Sequence, residues 1–400
     1  MEGNALTRAR TRLPGPLARQ LTPSRKTFAG LFAGALLAFL SLGVVVPVLP
    51  RYVTGPLAGG DVAVGIVTGA FAFTAVVCRP LAGRLTDVRG RRIVVLVGAL
   101  LSAVAGLIYF LPAGLAGLVA ARLVLGAGEG FVFTAGLTWT ADIAPDDRRG
   151  RTLGLFGLSI WTALSVGPVI GELLLAVGGY GAVWGFATLA PLAGAAVIAR
   201  LPDSPVVAPA PERGSWLARE AIRPGLALSC STVGFSALAG FIVLHLASRG
   251  AGHGAAVFTA FAFAVVAQRL VAGQLPDRVG ARRTAVGAAT AQAAGLAVIA
   301  LAPGLPAAVA GALLMGTGFS LLYPSLALMV VEAVSEQRRG TALGGFTAFF
   351  DVGMGLGAPL VGVTVAVLGY AAGFWVGAAF ALAGALLTAA GGWRRAPQVA

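Results

Sequence analysis

Long apolar segments separated by short polar connections dominate this chain of 400 residues. A helix needs about 20 mostly apolar residues to cross the hydrocarbon core of a bilayer. Twelve segments satisfy this requirement, and we number them span 1 to span 12 in chain order. Their expected ranges are 28–50, 62–86, 93–111, 115–140, 152–177, 180–200, 224–247, 254–276, 284–302, 307–331, 341–367 and 370–391. The pattern therefore predicts an all-α membrane protein with twelve transmembrane helices.

The second half of the chain repeats the pattern of the first at a shift of 190 positions. The pairs that coincide include Arg79 with Arg269, Gly126 with Gly316, Gly128 with Gly318, and Asp142 with Glu332. The longest connection, 201–223, contains four prolines and is expected to join the repeats as a cytoplasmic linker. We therefore predict two pseudo-symmetric six-helix bundles, 28–200 and 224–391, with tails at 1–27 and 392–400. Each bundle crosses the membrane an even number of times, so the two share one orientation.

Basic residues are confined to alternate connections. Of the 29 lysine and arginine residues, 24 lie in the two tails and in the connections that follow even-numbered spans, whereas Arg51 and Arg249 lie in the others. This asymmetry follows the positive-inside rule and predicts that both termini are cytoplasmic, in the inner (plasma) membrane of a cell. The arginine-rich amino end could instead be an organelle transit peptide. The net charge is +14, but the absence of a continuous basic face argues against nucleic-acid binding.

Composition favours lipid over water as the surroundings of the chain. Hydrophobic residues make up 58% and charged residues 11%, against roughly 25% charged in soluble domains. The two cysteines, Cys78 and Cys230, both fall inside apolar segments and are expected to be packing residues. The sequence contains no histidine cluster, cysteine pair or phosphate-cradling loop, so we expect neither a metal site nor a cofactor.

Three motifs resemble those of one transporter family. The segment from Gly83 to Arg92, between spans 2 and 3, resembles the family's loop Gly-x-Leu-x-Asp-Arg-x-Gly-Arg-Arg/Lys, with Val88 in the place of its first arginine. Arg122, followed by a glycine pair, resembles the fourth-helix signature. The fifth-helix signature of the family's exporters is matched at Gly154, Gly167, Pro168 and Gly171, whereas Ala163 and Glu172 depart from it. Over about 28–391 the chain therefore resembles the major facilitator superfamily of secondary transporters, in particular its twelve-helix drug/metabolite:proton antiporters.

The resemblance implies a latch at the cytoplasmic face. Asp87, Arg91 and Asp142 would form this latch together, with the motif acid held by an arginine or a helix amino terminus in one conformation and released in another. Alternatively, these charges anchor helices among lipid headgroups. The residues of this gate motif are Gly83, Asp87, Gly90, Arg91, Arg92 and Asp142 in the first bundle and, as a weaker mirror, Gly273, Asp277, Gly280, Arg282 and Glu332 in the second. Arg79 and Arg269, about two turns inside the motif acids, are close enough to the interface to snorkel.

Glycine in these motifs has a structural reason. Gly83 and Gly90 are expected where the chain turns sharply and two helix ends pack closely. The resemblance further implies that the stretch around Gly167 and Pro168 seals the outer halves of the two bundles together. Small residues that simply pack helices would give the same pattern.

Ionisable residues deep in the spans are the sharpest candidates for function, because each costs several kcal/mol unless protein or water surrounds it. Glu129 lies near the middle of span 4, which the resemblance places on the cavity, and a carboxyl there could alternate between proton and substrate. Arg122, two turns away on the same span, could pair with Glu172 of span 5, a pair that would serve equally well as a static tie. Asp351 of span 11 could cap broken backbone or contact span 2.

The helices expected to line the cavity carry aromatic side chains and few polar ones. The aromatic candidates for the substrate path are Phe39, Phe133, Phe235 and Tyr323, of which Phe133 and Tyr323 are related by the repeat and could face each other. Such a lining suits an apolar or cationic small molecule better than a sugar. The hypothesis is an antiporter that exports such a molecule by alternating access, driven by the proton gradient, and that works as a monomer in the lipid bilayer. The alternatives are a proton-coupled importer of a small metabolite and, more remotely, an integral-membrane enzyme.

Overall fold

The computed structural model describes residues 25–145, 149–203, 218–334 and 339–390, where the backbone is helical apart from short connections. Eleven helices in these ranges are long and apolar enough to cross a membrane. One of them contains two spans, because Gly178 and Gly179 leave helical geometry and divide it. The predicted all-α architecture with twelve spans is therefore confirmed. Most of the predicted linker and of both predicted tails lies outside the described residues.

The helices follow the order of the predicted spans. Span 1 is Arg25–Val45 and continues as the short helix Leu49–Thr54. The other spans of the first bundle are Asp61–Arg89, Arg91–Ile108, Gly114–Ile143 and the two parts of Arg149–Ala199. Spans 7 to 12 are Arg219–Ser248, Gly254–Ala272, Ala281–Leu301, Leu305–Ala333, Arg339–Leu368 and Tyr370–Ala389, and the short helix Leu275–Val279 lies between spans 8 and 9. Below, inner and outer denote the sides that the predicted orientation assigns to the cytoplasm and the exterior.

Prolines account for the largest differences from the predicted ranges. The segment predicted at 28–50 is interrupted at Pro47, because proline has no N–H to continue the helix ladder. Span 8 ends four residues before the predicted 276, because Pro276 cannot extend it and starts a separate short helix. Span 7 begins at Arg219, with Pro224 inside it, so the predicted start at 224 was too late.

The repeat seen in the sequence is also a repeat of contacts. A Cβ added at Gly126 of span 4 would lie 1.9 Å from the carbonyl oxygen of Phe71, and one added at Gly316 of span 10 would lie 2.5 Å from that of Phe261. Both glycines and both carbonyls are related by the shift of 190. Such contacts let helix backbones approach closely in lipid, where the hydrophobic effect does not drive helices together. The two bundles are therefore built by the same packing rules.

Two pairs of spans join the bundles. Span 2 packs along span 11, and span 5 packs along span 8. In the outer half of the first pair, a Cβ at Gly65 would lie 2.5 Å from the carbonyl oxygen of Ala358. Towards the inner ends, a Cβ at Gly83 of span 2 or at Gly344 of span 11 would meet nothing within 4 Å. The bundles are thus closed against each other on the outer side, and the close packing expected at Gly83 is wrong in this conformation.

The fifth-helix motif packs span 5 against span 1. A Cβ at Gly167 would lie 2.5 Å from the Cα of Gly43, and one at Gly171 would lie 2.3 Å from the carbonyl oxygen of Val44. Both contacts lie within the first bundle. The expectation that the stretch around Gly167 and Pro168 seals the two bundles together stays a prediction, and the outer contact described above is made by spans 2 and 11.

Two glycines of the fifth-helix motif should respond oppositely to alanine. Gly167→Ala should push spans 1 and 5 apart and cost about 1–3 kcal/mol, as overpacking usually does. Gly154 has nothing within 4 Å of a Cβ, so Gly154→Ala should stabilise span 5 by roughly 0.5–1 kcal/mol because alanine loses less backbone entropy on folding. Thermal unfolding of the purified variants in detergent measures both changes, and a shift in the same direction for the two would contradict this packing.

Candidate functional site

A cavity of about 60 Å³ lies between the two bundles, and residues of spans 1, 2, 4, 5, 7 and 11 line it. Its apolar lining consists of Leu42, Val46, Leu49, Phe71, Ile160, Trp161, Leu164, Phe235, Ala239, Phe350 and Met354. Its polar lining consists of Thr68, Arg79, Arg122, Glu129 and Asp351. Two arginines and two acids therefore share one small, mostly apolar space.

Glu129 is held at this cavity by the close packing of span 4. A Cβ at the preceding residue, Gly128, would lie 2.7 Å from a carbonyl oxygen of span 3, which leaves span 4 no freedom to rotate away. The Glu129 side chain is 6% exposed, and its Oε1 has no hydrogen-bond partner among the described residues. The charges that act on it are those of Arg122, Arg79 and Asp351. Because an unbonded buried carboxylate oxygen is costly, this atom is suited to take a proton or to face a cation.

Arg122 is fixed to span 2 and does not pair with Glu172. Its Nε and Nη2 donate to two carbonyl oxygens of span 2 at 3.1 and 3.2 Å, and its guanidinium carbon lies 4.7 Å from the ring centre of Phe71. The predicted Arg122–Glu172 pair is therefore wrong. Glu172 forms its ion pair with Arg51, because the short helix Leu49–Thr54 carries this arginine back towards span 5.

Arg79 and Asp351 form an ion pair between the two bundles. Nε of Arg79 donates to Oδ2 of Asp351 at 2.6 Å, and its Nη2 donates to Oδ1 at 3.2 Å. Asp351 is 1% exposed, and the guanidinium carbon of Arg79 lies 5.2 Å from the ring centre of Phe133. Of the two roles open to Asp351, the structure shows contact with span 2. The sequence places Arg79 close enough to the interface to snorkel, but in this conformation its guanidinium binds a buried carboxylate with two hydrogen bonds, which is stronger than contact with hydrated headgroups.

Of the four predicted aromatic residues, Phe235 lines the cavity and the other three do not. Phe39 is fully buried in the first bundle, with its ring centre 6.3 Å from that of Phe133. The hydroxyl of Tyr323 lies 2.8 Å from that of Thr347 in the second bundle. These contacts of Phe133 and Tyr323 lie within their own bundles, and the prediction that the two face each other stays a prediction.

Trp161 of span 5 lines the cavity and was missing from the predicted site. It reaches from the first bundle to the rings of the second, with ring centres 6.0 Å from Phe235, 6.2 Å from Phe261 and 5.4 Å from Phe319. The shift of 190 places Trp161 on Asp351, and this correspondence was the signal that could have found it. The position that holds an acid in one bundle holds the largest ring in the other.

The predicted latch residues of the first bundle come together at the inner end of span 4. Nε of Arg91 donates to Oδ2 of Asp142 at 2.8 Å, and its Nη1 lies 3.7 Å from Oδ1 of Asp87. Arg91 is buried at 4% exposure. Gly90, whose φ is 91°, makes the sharp turn that starts span 3, a conformation that glycine adopts without strain. Opening of the latch in another conformation stays a prediction.

The second bundle lacks the arginine that makes this latch. Ala281 occupies the corresponding position, although Gly280 keeps the turn with φ of 100°. Arg282 corresponds to Arg92, and both bind carbonyl oxygens at the end of the sixth helix of their own bundle, at 3.2 and 3.1 Å. In this conformation Arg282 caps the carboxyl end of span 12, where a cation is favoured, and its part in a mirror latch stays a prediction. The roles assigned to the two acids of the mirror stay predictions.

Comparison with known proteins agrees with the fold and the repeat. The sequence profile described as Major Facilitator Superfamily matches residues 31–256 and 225–400. A Salmonella typhimurium (strain LT2) protein described as an uncharacterized MFS-type transporter is 32% identical over 369 residues, 90% of this chain and 95% of that protein. A Burkholderia mallei (strain SAVP1) protein with the same kind of description is 31% identical over 362 residues, 88% of each chain.

Solved structures of transporters share the fold. The human organic anion transporter MFSD10 aligns with a TM-score of 0.72 at 19% identity, over 92% of this chain and 99% of that one. The nucleoside transporter NupG aligns with a TM-score of 0.74 at 15% identity, over 91% and 99%. The E. coli fucose:proton symporter FucP aligns with a TM-score of 0.64 at 16% identity, over 90% and 97%. At such identities the likeness concerns the fold, whereas the profile and the relatives define the family: this chain belongs to the major facilitator superfamily of membrane transporters.

Proposed function

We propose that this protein is a proton-coupled antiporter that exports an apolar or cationic small molecule by alternating access. The observation that carries the proposal is the carboxyl of Glu129, which lies at mid-span on a cavity between the bundles and has an unbonded oxygen. A carboxyl that holds either a proton or a cation links the two by competition, since each ligand lowers the affinity for the other. This competition is the coupling that an antiporter needs.

The lining of the cavity supports this class of substrate. Trp161, Phe235 and Phe350 present aromatic rings, and a ring face attracts a cation by about 0.5–2 kcal/mol. Asp351 is already engaged by an arginine, which leaves Glu129 as the acid that can face a substrate charge. A sugar would need many hydrogen-bonding side chains. The lining offers one neutral hydroxyl, that of Thr68.

The size of the cavity supports alternating access. At about 60 Å³ it is smaller than the roughly 300–1,000 Å³ of typical ligand pockets, so a substrate enters only when the bundles part on one side. The contact at Gly65 closes the outer halves of spans 2 and 11, and the Arg79–Asp351 pair joins the same spans nearer the inner side. Each closure can therefore open while the other holds.

Import driven by the same proton gradient is the rival function, and FucP, which shares the fold, is described as a symporter. Export is favoured by the partial match to the exporters' fifth-helix motif at Gly154, Gly167, Pro168 and Gly171 and by the apolar lining. The two functions predict opposite changes in the amount of a compound inside cells.

The test compares cells that express the protein with cells that carry an empty vector, using ethidium as a fluorescent aromatic cation. Export predicts lower accumulation in the expressing cells and return to the control level when a protonophore dissipates the gradient. Higher accumulation that the protonophore abolishes would instead establish import. Equal accumulation with and without the protein would contradict transport of this class of cation.

A further inference from the structure

We propose that Arg79 is a shared counter-ion, held by Asp351 while the inner end of the cavity is closed and passed to Glu129 when spans 2 and 11 part there. This inference rests on the proposed proton site at Glu129. It assigns to Arg79 a positioning role in the transport cycle: opening of the inner side brings a positive charge to Glu129 and displaces its proton to the inner water.

The Arg79–Asp351 pair lies on the inner side of the cavity. Arg79 is ten residues from the inner end of span 2, and Asp351 is twelve residues from the inner end of span 11, which corresponds to about 15–18 Å along each helix. The remaining lining of spans 1 and 2 lies further towards the outer side. Beyond the pair, the glycines near the inner ends of spans 2 and 11 face open space. The pair therefore joins spans 2 and 11 on the inner side of the cavity.

The membership of the bundles separates this ion pair when the inner side opens. Arg79 and Glu129 belong to the first bundle, and Asp351 belongs to the second. When the inner halves separate, Asp351 leaves with its own bundle, and Arg79 loses its carboxylate beside a mostly apolar cavity, which favours pairing with another acid. Glu129 is the acid that stays beside it on the same cavity.

The other charged and titratable groups around the site are Arg122, Tyr109 and Tyr323. The groups that act on Arg79 are Asp351, Tyr323 and Glu129, and those that act on Glu129 are Arg122, Arg79 and Asp351. Arg122 donates to two carbonyl oxygens of span 2, while its Nη1 has no hydrogen-bond partner among the described residues. Because Arg122, Tyr109 and Glu129 belong to one bundle, their separation does not depend on the docking of the two bundles. Arg79 is the cation whose partner depends on the docking of the bundles.

The proton step balances without a further reactant. The O–H bond of Glu129 breaks, the proton passes to water on the inner side, and the carboxylate that forms pairs with Arg79, which stays protonated throughout, until a substrate cation takes the place of the arginine. Closing the inner side returns Arg79 to Asp351 and leaves Glu129 free to take a proton from the outer side. The same carboxyl thus holds its proton when the inner side is closed and gives it up when that side opens, which is the asymmetry that coupling requires.

The internal repeat supplies a matched control. Arg269 corresponds to Arg79, but the residue that corresponds to Asp351 is Trp161, so this second arginine has a ring where the first has an acid. Arg269 donates to the carbonyl oxygen of Ser320 in its own bundle at 3.3 Å. The two arginines share a depth and a helix position and differ in the acid across the bundle interface.

The test measures the separation of the inner ends of spans 2 and 11 as a function of pH. Spin labels are attached at Val88→Cys and Gly344→Cys in protein whose Cys78 and Cys230 are replaced by alanine, and pulsed electron paramagnetic resonance gives the distance. The wild-type background should show a short distance at low pH and a long one at high pH, because ionised Glu129 competes for Arg79.

The variants distinguish the effects of the two proposed partners of Arg79, which are Asp351 and Glu129. In Glu129→Gln the distance between the two labels should stay short at every pH, because glutamine carries no charge that could attract Arg79 away from Asp351. Asp351→Asn should move the midpoint of the change in distance to lower pH by about one unit or more. Without Asp351, Arg79 is available to Glu129, and an opposite charge nearby lowers the pH at which a carboxyl ionises by about this much. The double variant Arg79→Gln/Asp351→Asn, which leaves no unpaired charge and so remains informative if Asp351→Asn does not fold, should show no response to pH. Arg269→Gln should respond as the wild type does.

The outcomes also distinguish this inference from the proposed function. A wild-type distance that is independent of pH, an unshifted midpoint in Asp351→Asn, or an equal loss of response in Arg269→Gln overturns the role of Arg79. If coupled transport is nevertheless lost in Glu129→Gln, the proposed function stands and this inference alone fails. If Glu129→Gln still transports with the proton gradient, both fail.

Discussion

Glu129→Gln is expected to abolish transport driven by a proton gradient while leaving folded protein in the membrane. Glutamine has nearly the size of glutamate but cannot release a proton, and it removes the charge from a side chain that is 6% exposed, so folding should not suffer. In liposomes with an imposed pH gradient, the variant should accumulate no more labelled substrate than empty liposomes do. Exchange of an uncharged apolar substrate for itself, which moves no proton and needs no carboxylate, should persist.

Glu172→Gln is the matched control for this prediction. Glu172 lies in the same bundle but pairs with Arg51, and neither residue lines the cavity. Both side chains are about one-third exposed, so breaking the pair should cost no more than about 0–1 kcal/mol and leave coupled transport in place. Undiminished gradient-driven transport by Glu129→Gln would remove Glu129 from the mechanism.

Gly65→Val is expected to hold the outer side of the cavity open and thereby stop transport. A Cβ at Gly65 would lie 2.5 Å from the carbonyl oxygen of Ala358 and 3.1 Å from the Cα of Gly362. Both neighbours are backbone atoms, which cannot give way by rotating a side chain, so spans 2 and 11 must separate there. Overpacking of this kind costs about 1–3 kcal/mol, which changes the ratio of open to closed protein by roughly 5- to 150-fold.

Labelling from outside measures this opening. A cysteine at Val46, which lines the cavity from span 1, should react faster with a membrane-impermeant maleimide when Gly65→Val is present and the native cysteines are absent. Gly287→Val on span 9 is the control, because a Cβ there meets nothing within 4 Å. Equal reaction rates with and without Gly65→Val would show that this contact does not close the outer side.

The fold could be predicted from the sequence because its signals are long and are repeated. Each span is an apolar run whose length matches the bilayer, and the shift of 190 reports two copies of one bundle. Local chemistry that depends on neighbours in the chain was also accessible: Gly90 makes the turn that brings Arg91 to Asp142. The largest errors in helix ends lie at prolines, which act within one turn.

Partners between helices could not be predicted in the same way. Helical periodicity places Arg122 and Glu172 on faces of their spans but does not set the relative depth of two helices, and the helix after Pro47 brought Arg51 to Glu172 instead. Arg79 and Asp351 are 272 positions apart, and docking of the two bundles brings them together. Pairs of this kind depend on tertiary packing, which a pattern along one chain does not record.

The most direct test of the account counts the protons that are released when a cation binds. Benzyltrimethylammonium has a permanent charge and no exchangeable proton, so any proton that appears in a weakly buffered solution comes from the protein. At a pH below the midpoint of Glu129 titration, where the carboxyl is mostly protonated, the purified protein should release up to about one proton per bound cation, and Glu129→Gln should release none. Binding without proton release, or equal release by the two proteins, would contradict exchange of proton and substrate at Glu129.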